Sequence, residues 1–116
     1  MTKEEVKKFC EFNIKEIEKY QKRLRKTTLY QIRILAGKSI GFEGMLKILD
    51  KPEATVDGFK KYCQDAIAKF DVHIFKKIVK AKGKNMEYPD VLRGTVLAHK
   101  DVLDFIITEE KERGKN

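Results

Sequence analysis

Few residues in this chain have the chemistry to act on a substrate. It carries two histidines, His73 and His99, two cysteines, Cys10 and Cys63, and a single serine, Ser39. One serine without a neighbouring histidine and acid offers no nucleophilic triad. His73 beside Asp71 supplies two donors, where a metal site needs three or four converging ligands, and no zinc-type spacing of Cys and His occurs. No metal and no cofactor is therefore expected. Gly37-Lys38-Ser39 matches the end of a phosphate-binding loop, but position 32 is Ile rather than Gly and no strand precedes it. Carboxylate pairs such as Glu109 and Glu110 fall in a charged tail without a partner group.

The more informative chemistry is cationic. Lys19, Lys22, Arg23, Arg25 and Lys26 form one run around Tyr20, and Lys76, Lys77, Lys80, Lys82 and Lys84 form a second, with no acid inside either. From Met86 onward seven acids face five bases, so the overall charge of +8 is concentrated upstream. Such segregation favours an anionic partner, either nucleic acid or an acidic protein surface. Of the 26 basic residues 21 are lysine, which argues against base-specific reading, where arginine forks grip guanine. The competing account is that these lysines only solubilise the chain and complement helix C-termini.

Helices must position these groups. Prolines number two, tryptophan is absent, and Lys and Glu dominate the polar positions, as in all-α proteins. Thr2 and Glu5 form a capping box, after which Val6, Cys10, Ile14, Ile17 and Leu24 recur at helical spacing. Phe12 falls off that stripe. A second helical stretch spans Leu29 to Leu49, with Ile32, Ala36, Ile40, Leu46 and Leu49 on one side and Ile34, Gly41, Met45 and Ile48 on another. Gly37, Gly41 and Gly44 line one ridge, and each costs about 1 kcal/mol relative to alanine. Close approach of a neighbouring backbone is the expected compensation.

Asp50-Lys51-Pro52-Glu53 breaks the pattern. A third helix follows from about Thr55 to Ala81, with Phe59, Cys63, Ala66, Phe70, Ile74 and Ile78 inward, stopped near Gly83. Pro89 and Asp90 suit the first turn of a fourth, whose inner stripe is Leu92, Val96, Val102, Leu103 and Ile106. The reading is a single domain over 1–116, an antiparallel four-helix bundle, with the tail frayed from about residue 108. Residues 24 to 29 contain no turn-forming Gly, Pro, Asn or Asp. A variant fold therefore fuses the first two helices into one rod of roughly 70 Å, which requires a homo-oligomer. In the hairpin form the first and third helices are parallel, and the two basic runs share one pole.

Arg93 and His99, five residues between them in the last helix of an all-helical chain, resemble the motif of the HEPN ribonucleases. The resemblance implies metal-independent RNA cleavage at a composite site across a dimer, with Arg93 and His99 as the catalytic pair. Gly94 follows Arg93 where that family usually carries a polar residue. His99 also lies on the apolar stripe while Arg93 lies off it, so a core histidine beside a surface arginine is the competing reading. In outline the chain is also similar to the basic four-helix immunity proteins of bacteriocin producers, which implies peripheral attachment to a membrane. In style it is similar to lysine-rich phage and plasmid accessory proteins that inhibit host machinery.

The leading expectation is a non-enzymatic basic interaction module. Cys10 and Cys63, solitary and each on the apolar side of a predicted helix, and the charged N-terminus, without an apolar signal core, point to a cytoplasmic protein. No stretch is apolar enough to span a membrane, since Arg33, Lys38, Glu43 and Lys47 interrupt the best candidate.

Overall fold

The computed structural model describes residues 1–23, 29–81 and 87–114, with the side chains of 72–81 and of 87–88 outside the description. The elements are α1 (Lys3–Arg23), α2 (Leu29–Leu49), α3 (Val56–Ala81) and α4 (Glu87–Gly114). The architecture is an all-α helical bundle, as the spacing predicts. Among the described residues no helix is long and apolar enough to cross a membrane.

Local signals set the helix starts. At α1 the Thr2 Oγ1 accepts from the Glu5 amide at 3.3 Å while the Thr2 amide donates back to Glu5 Oε1 at 3.4 Å, completing the capping box. At α3 the Thr55 hydroxyl accepts from the Gly58 amide at 3.0 Å. Between α2 and α3, residues 50–53 turn, with the Ala54 amide donating to the Lys51 carbonyl at 3.1 Å.

The direction of each helix follows from cross-chain contacts. Lys7 Nζ lies 2.6 Å from Asp50 Oδ1, so the start of α1 adjoins the end of α2. On an unbroken helix those residues would be roughly 65 Å apart. The single rod is therefore replaced by two antiparallel helices; the join over residues 24–28 lies outside the described residues. Phe9 stacks on Phe105 with centroids 4.2 Å apart, and Arg113 pairs with Glu5, which sets α4 antiparallel to α1. Lys60 pairs with Glu110 at 2.7 Å while Tyr62 and Phe70 flank His99, which sets α3 antiparallel to α4. Hence α1 and α3 run in the same direction.

The closest packing is between α2 and α4, which are parallel. A Cβ on Gly37 would strike the Val91 carbonyl, and one on Gly94 would strike the Ile34 carbonyl. A Cβ on Gly41 would come within 2.9 Å of the Ala98 Cβ. Two of the three ridge glycines are thus explained by backbone approach. Gly44 is not, because its Cβ direction is open. Thr95 fastens the seam: its hydroxyl proton is shared between the Val91 carbonyl of its own helix (3.2 Å) and the Gly37 carbonyl of α2 (3.1 Å).

This seam sets which side of α2 turns inward. Gly37, Gly41, Phe42, Met45 and Leu49 are buried, whereas Ile32 and Ile40 are exposed. Tight backbone contact requires the glycine face to turn inward, which leaves Ile32 and Ile40 in solvent while Leu49 of the same stripe stays buried. Phe12 is an exposed residue at 61%. The core joins Val6, Cys10 and Ile17 of α1, the inner face of α2, Phe59 and Cys63 of α3, and Ala98, Val102 and Ile106 of α4.

Beyond Thr108 α4 continues as helix to Gly114, with ion pairs Lys60–Glu110 and Arg113 to Glu5 and Glu109. The Arg113 guanidinium beside Glu5 pulls its carboxyl down to about 2.

The seam makes opposite predictions for neighbouring glycines. Gly94→Ala should destabilise by about 1–3 kcal/mol through forced separation of two backbones. Gly44→Ala should stabilise by up to about 1 kcal/mol, since only helix propensity changes there. Urea unfolding of the two variants checks both signs.

Candidate functional site

The basic end of α1 is the part of the sequence-predicted cationic site that the structure describes. Lys19, Lys22 and Arg23 are all exposed, as is Tyr20. Lys19, Tyr20 and Arg23 line a cleft of about 280 Å³ between α1 and α2, together with Asn13 and Glu16. Its far wall includes Lys38 of α2. Of these cations Lys19 pairs with Glu16 at 3.4 Å and Lys38 with Asp101 at 3.2 Å. Both pairs are partly or largely solvated, so each is worth about 0.2–1 kcal/mol and an incoming anion can compete for the cation.

Lys38 was legible in the sequence only as a fragment of a phosphate-loop match. Its position inside the apolar stretch of α2 gave no hint that the antiparallel α1 would bring it beside Lys19 and Arg23. Arg25, Lys26, Lys82 and Lys84 lie outside the described residues, as do the side chains of Lys76, Lys77 and Lys80. Because α1 and α3 are parallel, their described C-terminal ends, at Arg23 and Ala81, lie towards the same pole.

Arg93 and His99 occupy different settings. Arg93 is half-buried. His99 is only 3% exposed, with Nδ1 2.7 Å from the Thr95 carbonyl and its ring between Tyr62 and Phe70 of α3. A carbonyl can only accept, so Nδ1 carries the proton and Nε2 is an acceptor. Nε2 is buried with no hydrogen-bond partner among the described residues, an arrangement that costs about 1–3 kcal/mol. Burial lowers the His99 pKa, partly offset by the bond to Thr95, so the ring is held neutral.

The two cysteines belong to the core, free and buried. Burial pushes both thiols up to about 12, so neither is a thiolate nucleophile at neutral pH. Among the described residues no group of three His, Cys, Asp or Glu converges to hold a metal ion. Comparisons with protein-family models, curated proteins and solved structures gave no match.

The neutral, buried His99 links stability to pH. Its folded pKa lies below the ordinary 6.5, so below pH 6.5 the unfolded chain takes up a proton that the folded chain refuses. The contribution of this residue is complete above pH 6.5 and declines as pH falls towards the lowered folded value. Urea midpoints measured between pH 7.5 and pH 5 should fall, and the fall should be smaller in His99→Gln.

Proposed function

We propose that this protein is a non-enzymatic interaction module that binds an anionic partner at the C-terminal end of α1. The observation that carries this reading is the meeting of Lys19, Arg23 and Lys38 around one open cleft, with Lys22 and the exposed Tyr20 beside it. Two of these cations pair with acids, Lys19 with Glu16 and Lys38 with Asp101, in solvated contacts where an incoming anion can compete. Cations at a helix C-terminus gain about 0.3–1 kcal/mol each from the dipole. That effect fades beyond the last turn and gives no reason for Lys38, on another helix, to share the cleft.

A partner of either expected class, nucleic acid or an acidic protein face, would meet the same cations. Nucleic acid would in addition release counterions, making its affinity fall steeply with salt. The ribonuclease reading finds less support, because an acid–base histidine must reach the proton it transfers. His99 faces the interior, and its Nδ1 is engaged by its own helix.

The test is charge reversal with a matched control. Lys19→Glu/Lys22→Glu/Arg23→Glu should elute from immobilised heparin at much lower salt than the wild type. Lys47→Glu/Lys51→Glu/Lys61→Glu, at exposed positions away from the cleft, should elute distinctly later than that variant. If a single-stranded oligonucleotide is bound, the log–log salt slope should shrink by about 0.7 for each phosphate that the variant no longer neutralises. Equal weakening in both triple variants would reduce the proposal to generic surface charge.

A further inference from the structure

The cleft at the end of α1 holds more than cations. Among its lining residues Ile17 is buried and Leu35 half-buried, so these two form an apolar floor. Tyr20, 50% exposed, stands in the same lining with Lys19, Arg23 and Lys38. The other exposed aromatic of α1, Phe12, is not part of the cleft.

Two further lining groups separate the possible anions. Asn13 donates from Nδ2 to the Phe9 carbonyl at 2.8 Å. A carbonyl can only accept, so the amide orientation is fixed and Oδ1 remains an acceptor. Glu16 adds a carboxylate, 3.4 Å from Lys19 Nζ. The carboxylates of an acidic protein face accept hydrogen bonds and donate none. They would be repelled by Glu16 and would offer nothing to Asn13 Oδ1. A nucleobase edge carries N–H donors as well as acceptors, and its ring faces suit an aromatic wall.

At about 280 Å³ the cleft lies just under the size of small-molecule sites, roughly 300–1,000 Å³. It therefore takes one small group of a larger partner. In a duplex the bases are stacked and paired, and none is free to enter. In a single strand each can be splayed out onto an aromatic side chain.

We propose that the cleft takes one base of a single-stranded nucleic acid, stacked on Tyr20 over Ile17 and Leu35, while Lys19, Arg23 and Lys38 hold the adjoining phosphates. This rests on the anionic-partner reading and names the partner. A ring-face contact among mostly lysine cations reads no particular sequence, so binding is sequence-tolerant.

The probes are single strands of about 12 nucleotides, one of DNA and one of RNA. They are compared with the matching duplex, with the same strand lacking its bases, and with polyglutamate. The preference between the two sugars shows which polymer supplies the base. By fluorescence anisotropy the intact strand should bind at least about fivefold more tightly than the abasic one, the worth of one stacked base. It should also bind more tightly than the duplex. Tyr20→Ala should bring the same fivefold loss, Tyr20→Phe should restore affinity, and Phe12→Ala should leave it unchanged. Equal affinity for intact and abasic strands, preference for the duplex, or equally effective competition by polyglutamate would overturn the proposal. Undiminished affinity in a folded Tyr20→Ala protein would overturn it too. The abasic comparison uses the wild-type chain and decides alone if that variant does not fold. Heparin elution of the charge-reversed variants tests the underlying reading separately. If that elution behaves as expected while the abasic strand binds as well as the intact one, the cationic cleft stands and only the stacked base is lost.

Discussion

The structure depends on two backbones being allowed to touch. Gly37 and Gly41 on α2 face Gly94 and Ala98 on α4, and a side chain larger than hydrogen at the glycines would push the helices apart. This contact makes α4 the hub of the bundle. α1 reaches it through the Phe9–Phe105 stack and the Glu5–Arg113 pair. α3 reaches it through His99 and through Lys60–Glu110. The helix-propensity cost of glycine, about 1 kcal/mol each, is offset by close packing along the seam, where dispersion contacts accumulate.

Thr95 connects the two faces of α4. Its hydroxyl reaches across to the Gly37 carbonyl, and its own carbonyl receives the Nδ1 proton of His99. The residue that fastens α2 therefore also fixes the tautomer of the histidine under α3. Core polar groups of this kind are stable only when their hydrogen bonds are complete. His99 has one complete, at Nδ1, and among the described residues none at Nε2.

Charge is arranged by a different rule. At the pole where α1 begins and α4 ends, acids and bases alternate between helices and neutralise one another in pairs. Where α1 ends, Lys19, Arg23 and Lys38 gather around one cleft, with Lys19 paired to Glu16 and Lys38 to Asp101. Surface pairs add little to stability, about 0.2–1 kcal/mol each. That gathering therefore bears on what the molecule attracts more than on how it folds.

By itself, the sequence determined the helices, because capping and breaking are local. Thr2 with Glu5, Thr55, Pro52 and the periodicity of Val6, Cys10 and Ile17 act within a few residues of where they sit. It also determined that cations mass near the end of α1. Tertiary structure decided which face of α2 turns inward, because two apolar stripes of similar strength compete there and only the partner glycine on α4 breaks the tie. It likewise decided the placement of Lys38 beside Lys19 and the pairing of Glu110 with Lys60 and of Arg113 with Glu5. Each of these is a contact between residues far apart in the chain, and a sequence pattern carries face and period but not the identity of the neighbour.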